Sequence, residues 1–275
     1  MNFVFFDHKF FEAGDLNLTG FVLDGSFCIT QKIWFRNNEL PLFSENLSLM
    51  REKAGIFRLG WNGLVEDPQE LLRLTKRLLN KNRLYKTGLA VLKAFWQNGE
   101  VHILIQAIPS TLKDFHLAEK GILMNFSDVA RFSGNPYASF DHFNLAEWGV
   151  AFSEIKDTMN NNSIILNQSG AVCEAIGGNI FFIRGRSLIT PSPDTGCYLD
   201  PVRKKIIDAA VACQFQVMES SAITKDLVYD MDEIFIASEA AGMQWVIGID
   251  TKRFIHYRSD ELNIKLNELL GTLIQ

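Results

Sequence analysis

The chain has 275 residues, 47% of them hydrophobic and 21% charged, which excludes wholesale disorder and is enough for one large domain or two ordinary ones. Its 27 Lys plus Arg against 32 Asp plus Glu leave a net charge of -5, which argues against a nucleic-acid or anionic-membrane surface. There is no long uninterrupted apolar run, no secretory pattern in MNFVFFDHKFFEAGD and no CxxC pair among Cys28, Cys173, Cys197 and Cys213, so a cytoplasmic protein without a membrane span or zinc ribbon is expected.

Residues 2–44 read as strands. SFCITQKIWF alternates apolar and polar side chains, and Asn37-Asn38 supplies a turn before LPLF. A helix follows with Ser44 as its N-cap and Leu47, Met50, Ala54 and Phe57 along one face. Asp67-Pro68 pairs a capping carboxylate with a proline at the first helical position and opens QELLRLTKRLLNKN. LAVLKAFW and EVHILIQAI flank Gln97-Asn98-Gly99, a hairpin signal because both turn residues tolerate positive φ. The softer PSTLKDFHLAEKG marks a linker, giving domains over 1–110 and 122–275 joined by 111–121. In the second domain a helix is expected from about Asp141 to Met159. SIILNQSGAV and GNIFFIRGRSLITP read as short strands, and Asp200-Pro201 repeats the cap-and-proline start before VRKKIIDAAVAC. FQVMES, EIFIAS and WVIGID are strand-like, and ELNIKLNELLGTLIQ closes the chain as an amphipathic helix. The fold class is therefore α+β in two domains.

Three segments of the second half stand in a telling order. Gly170-Ala171-Val172-Cys173-Glu174 precedes Gly177-Gly178-Asn179-Ile180-Phe181. Thr190-Pro191 and Gly196-Cys197 then lead to the helix carrying Arg203. The last is Asp232-Glu233-Ile234-Phe235-Ile236-Ala237-Ser238-Glu239-Ala240-Ala241. This succession resembles the class IV, fold type IV, pyridoxal-phosphate family of branched-chain aminotransferases, D-amino-acid aminotransferases and aminodeoxychorismate lyases. The match covers about residues 133–250, with a looser one over 16–60, where Leu23-Asp24-Gly25-Ser26-Phe27 is similar to the family's GDG-x-F segment.

The resemblance implies a two-domain, D-amino-acid-aminotransferase-like architecture, usually a homodimer, with pyridoxal 5'-phosphate in a cleft between the domains. It also implies five protein contributions. A lysine forms the Schiff base with the aldehyde, and a carboxylate faces the pyridine nitrogen. An arginine, a helix N-terminus and a threonine hold the phosphate.

Carried over position by position, Glu174 keeps the pyridine-nitrogen place, five residues before Asn179. The lysine place is Asp141, fixed by Asn135-Pro136 and Asn144, and no lysine occurs between Lys120 and Lys156. Lys156 would lie roughly 22 Å along the helix from Asp141 at about 1.5 Å per residue. The phosphate arginine falls at Leu49, with Arg51 two residues off and pointing elsewhere on a helix. The helix turn that takes the phosphate corresponds to Asp200, Pro201 and Val202 ahead of a retained Arg203, and the threonine place is Glu239. Helix N-termini attract anions, but an Asp cap fills the place with its own carboxylate and Pro201 has no N–H to offer. Each acid facing a phosphate would cost about 4 kcal/mol at about 4 Å and an effective dielectric of about 20.

Two expectations follow. In the first, the cofactor is absent and the chain is a homodimer that has lost pyridoxal-phosphate binding and catalysis. Its cleft then serves an unknown small molecule or an interaction role. In the second, the chain is an active 4-amino-4-deoxychorismate lyase or class IV aminotransferase that takes its lysine from elsewhere. Cys197, in a loop after Gly196, reads as exposed. The paired phenylalanines Phe5-Phe6, Phe10-Phe11 and Phe181-Phe182 read as core and interface packing.

Overall fold

The computed structural model describes residues 2–16, 27–97, 99–110 and 115–272. The chain divides into two compact units, 1–114 with 273–275 and 115–272. Residues Leu23–Ser26 of the segment compared with GDG-x-F lie outside the described residues, as does Asn98 of the hairpin signal.

In the first unit the described strands are β1 (Phe3–Phe6), β2 (Lys9–Glu12), β3 (Phe27–Arg36), β4 (Thr87–Gln97) and β5 (Glu100–Pro109), forming an antiparallel sheet in the order β2-β1-β5-β4-β3. The period of two does the sorting: Ile29, Ile33 and Phe35 lie opposite Ala94, Ala90 and Gly88 on one face. That face is covered by helices α1 (Phe43–Ile56) and α2 (Pro68–Lys81), whose Leu47, Met50, Ala54, Leu71, Leu74 and Leu78 complete the core. Each such leucine contributes about 1.5–3 kcal/mol by leaving water. Asn37 and Asn38 take positive φ in the turn closing β3, as their type allows.

Helix α2 begins as its sequence dictates, with Pro68 at its first position and the Asp67 carboxylate accepting the Glu70 N–H at 3.0 Å. Helix α1 departs from expectation, because Ser44 lies inside it and is not its cap. Buried Leu42 and Phe43 anchor the start, and Asn46 Nδ2 donates to the Leu42 carbonyl at 2.8 Å. Burial of two large apolar side chains outweighs a cap worth about 1 kcal/mol.

The second unit carries β6 (Ile122–Arg131), helix α3 (Asp141–Ile155), β7 (Asn162–Asn167), β8 (Val172–Ala175), β9 (Asn179–Arg184) and β10 (Ser187–Pro191). It continues with helix α4 (Val202–Ala212), β11 (Gln216–Ser220), the short helix α5 (Lys225–Tyr229), β12 (Glu233–Ser238), β13 (Gly242–Ile249), β14 (Lys252–Arg253) and helix α6 (Tyr257–Thr272). Among the described residues the sheet runs β11-β10-β9-β12-β13-β6-β7-β8, with β14 paired to β13. Strands β8, β9, β10 and β12 are almost wholly buried, which explains their near-continuous apolar sequences. Phe181 and Phe235 stack across β9 and β12 with ring centroids 4.9 Å apart.

Three expectations are corrected here. The strand β6 was not foreseen in ILMNFSDVAR. Helix α3 stops at Ile155, short of Met159. The linker expected over 111–121 is, from Phe115 on, part of the second unit: Phe115 is buried, and its carbonyl accepts from Asn263 and Asn267 of α6.

Candidate functional site

The second unit brings Glu174, Asp200, Val202 and Glu239 into one buried polar network. Glu174 stands on β8 with no exposure. Its Oε1 accepts from Arg131 Nη2 at 2.7 Å and from Trp148 Nε1 at 2.6 Å, and its Oε2 accepts from the Tyr198 N–H. Burial pushes the carboxyl above its usual range, while Arg131, Trp148 and the Tyr198 amide pull the other way.

Arg131 ends β6 and is 1% exposed. Its Nη1 donates to the carbonyls of Ala138 at 3.0 Å and Gly196 at 3.2 Å, and its Nε pairs with Glu147 of α3. The planar guanidinium is thus spent on four partners, the geometry for which arginine is suited. Arg131, Trp148 and Tyr198 were all missed from sequence. Trp148 and Tyr198 also touch edge to face at 5.3 Å.

Asp200 lies just before α4. Its Oδ1 accepts two backbone N–H groups, from Val202 at the first turn of α4 and from Glu239 at the end of β12, both at 3.0 Å. Its Oδ2 accepts from the Tyr198 hydroxyl at 3.1 Å. Asn179 fixes this segment, since its Oδ1 accepts the Asp200 N–H at 3.1 Å and its Nδ2 donates to the Tyr198 carbonyl. One carboxylate therefore occupies amide donors supplied by two separate elements, an arrangement suited to an anion. Pro201 sits between the two and offers no N–H. Glu239 is itself 1% exposed.

Arg203, in the first turn of α4, is engaged away from Asp200. Its Nη1 donates to Thr190 Oγ1 at 2.6 Å, and its Nη2 donates to the Pro191 carbonyl at 2.8 Å and to Glu219 at 2.7 Å. It ties α4 to strands β10 and β11. The backbone of Asp141 opens α3, and Lys156 caps the other end of that helix, so the two stand about 22 Å apart at about 1.5 Å per residue. The side chains of Asp141, His142 and Phe143 lie outside what is described. Leu49 is half-buried on α1 of the first unit.

Cys197 is not exposed. It is 1% accessible, its thiol points at the carbonyls of Pro191 and Ser192, and burial raises its pKa. Cys173, also buried, is pushed up to about 12 by desolvation, so neither thiol is primed as a nucleophile. Among the described residues no group of three His, Cys, Asp or Glu side chains is placed to hold a metal, and no helix is long and apolar enough to cross a membrane.

Comparison with known proteins agrees with this frame. A probable branched-chain-amino-acid aminotransferase of Aquifex aeolicus is 25% identical over 273 residues, spanning 92% of this chain and 86% of that protein. The structure of a branched-chain amino acid aminotransferase from Thermobaculum terrenum in its PLP-form matches with a TM-score of 0.84 at 18% identity, over 98% of this chain and 94% of that one. A putative 4-amino-4-deoxychorismate lyase from Legionella pneumophila matches with a TM-score of 0.78 at 18% identity, over 90% and 92% of the two chains. The two structures share the fold type IV architecture of this chain. The family model for amino-transferase class IV matches residues 33–249, and with the ordered motifs and the two-sheet fold that match makes this chain a member of the amino-transferase class IV family.

Proposed function

We propose that this chain is a class IV aminotransferase-family protein that has given up pyridoxal-phosphate binding and catalysis, and that acts as a cytoplasmic homodimer in a binding or regulatory role. The observation that carries this reading is the seat of the Asp200 carboxylate on the N–H groups of Val202 and Glu239. Those are positions that the family resemblance assigns to the phosphate.

The residues present do not fit the cofactor. A phosphate dianion placed there would have to displace the buried Asp200 carboxylate from the Val202 and Glu239 N–H groups. A carboxylate left at about 4 Å from the dianion costs about 4 kcal/mol per charge pair at an effective dielectric of about 20, roughly a thousandfold in affinity. The arginine that might offset it is committed to Thr190, Pro191 and Glu219. The lysine place is Asp141, and the phosphate-arginine place is Leu49.

The second reading, an active lyase or aminotransferase with its lysine from elsewhere, is favoured by one observation, the retention of Glu174 in a fully buried position. The same carboxylate is, however, held on both oxygens by donors of the chain itself.

Titration of the purified protein with pyridoxal phosphate separates the readings. No saturable visible absorbance beyond that of free cofactor is expected, either for the natural chain or for Asp141→Lys, because a lysine alone does not reopen the anion seat. Saturable absorbance in the natural chain, or its recovery in the single variant, would overturn the reading.

A further inference from the structure

We infer that the outward face of α3 is a seam on which a second copy of this chain docks, with Gly149 of one copy against Gly149 of the other. This names the contact surface of the homodimer proposed above and rests on that part of the reading. It is independent of whether the cofactor is lost.

The charges of this helix are turned inward. Glu147 pairs with Arg131, and Glu154 accepts from the Ser127 hydroxyl at 2.6 Å and the Asp128 N–H at 3.2 Å, all on β6. Trp148, Ala151 and Ile155 are buried on the same side. What α3 presents outward is Leu145, Ala146, Gly149, Val150, Phe152 and Ser153, all exposed and none charged. Ser153 Oγ donates to the Gly149 carbonyl at 2.8 Å, so covering this face strands no hydroxyl. A helix that is apolar on both sides belongs in an interior.

Gly149 carries the argument to a second backbone. It stands in the helix interior without the positive φ that calls for glycine. A Cβ added there would meet nothing of this chain within 4 Å. Glycine is less favourable than alanine inside a helix, so neither the conformation nor the packing of the single chain accounts for it. Close approach of another helix does.

The face is also complementary to itself. In an antiparallel crossing about a two-fold axis at Gly149, residues one turn to either side meet along the same flank. Leu145 of one copy then packs on Phe152 of the other, and Ala146 on Ser153, each contact occurring twice as an isologous interface requires. The same orientation brings exposed Lys156 to the end of the other helix, which opens with an acid, Asp141. Leu145, Val150 and Phe152 are each more than half exposed. With their small neighbours they make a patch on the order of 450 Å², the size at which exposed apolar surface marks an interaction site. Two such faces bury roughly 900 Å², below the about 1,200 Å² of permanent interfaces, so the pairing is reversible.

Sedimentation velocity of the full chain across a range of concentrations tests this. A monomer–dimer equilibrium in the micromolar range is expected. Leu145→Glu and Phe152→Glu should each raise its dissociation constant at least about tenfold, because each buries carboxylates in an apolar seam. Both positions are exposed in the single chain, so the dilute variants should melt with the natural protein. Gly149→Ala separates an interface from a purely structural role: the dilute variant should melt slightly higher, while its dimer weakens. A chain that stays monomeric at every concentration overturns the inference and the homodimer reading with it, and leaves the face to a different partner. A dimer indifferent to all three substitutions overturns the seam alone, since the copies then pair through another surface. Neither outcome bears on whether pyridoxal phosphate binds.

Discussion

Replacing Arg131 with methionine is expected to destabilise the protein by about 3–5 kcal/mol, the range for removing one partner of a buried ion pair. The size follows from burial: Arg131 is 1% exposed and Glu174 not at all, so no water can replace the lost donor. The substitution also takes a donor from the carbonyls of Gly196 and Ala138, of which Ala138 keeps the Asn144 amide at 2.7 Å. The loss should depend on pH with a definite sign. Burial already raises the Glu174 carboxyl, and removing Arg131 takes away the main opposing influence. In the variant the folded state then holds a proton that the unfolded state releases above the usual carboxylate range, so stability falls as pH rises through that window. Urea unfolding of Arg131→Met should therefore show a smaller deficit near pH 5 than near pH 8. The double variant Arg131→Met, Glu174→Gln should recover much of the loss, because no buried charge is left unpaired. A deficit below about 1 kcal/mol, or one growing as pH falls, contradicts the assignment.

The second large effect is expected at Asp200. Asp200→Ala orphans the N–H groups of Val202 and Glu239, and each unsatisfied buried donor costs about 1–3 kcal/mol, so a loss of about 2–6 kcal/mol should appear in chemical denaturation. Asp200→Asn keeps an acceptor oxygen in the same place and should lose less, about 1 kcal/mol. Amide exchange supplies a local check, since the Val202 and Glu239 N–H groups should lose protection in the alanine variant while the core of β9 keeps it. Unchanged protection at both amides would show that the Asp200 carboxylate does not hold them.

Much of this arrangement was legible in the sequence. The ordered segments around Glu174, Asp200 and Glu239 led to the family and, with Asp141, to the expectation of acids at the phosphate places, and Asp200-Pro201 to the expectation of a carboxylate at a helix start, where the Asp200 side chain does accept the Val202 N–H. What escaped was what reaches those residues from elsewhere. Arg131 was missed because β6 does not alternate cleanly: Asn125, Ser127 and Asp128 interrupt it. The structure gives them partners off the strand, Ser163 for Asn125 and Glu154 for Ser127 and Asp128. Trp148 was read only as part of a helix, and its indole N–H meets a carboxylate 26 residues away in the chain, beyond any local pattern. The same limit applies to Asp200, whose own turn was foreseen but whose hold on the Glu239 amide, 39 residues on, was not. Ser44 illustrates the reverse error. A good capping residue sat one position inside a helix whose start was set by buried Leu42 and Phe43.

The central claim is that the anion seat of this fold is filled by the chain's own carboxylate, and that no lysine waits for the aldehyde. Borohydride treatment of the protein after incubation with pyridoxal phosphate, followed by intact-mass and peptide mass analysis, tests it most directly. The account predicts no stoichiometric adduct, only scattered trace labelling of exposed lysines. A single lysine peptide carrying one equivalent of the reduced cofactor, protected by competing substrate analogues, would contradict it.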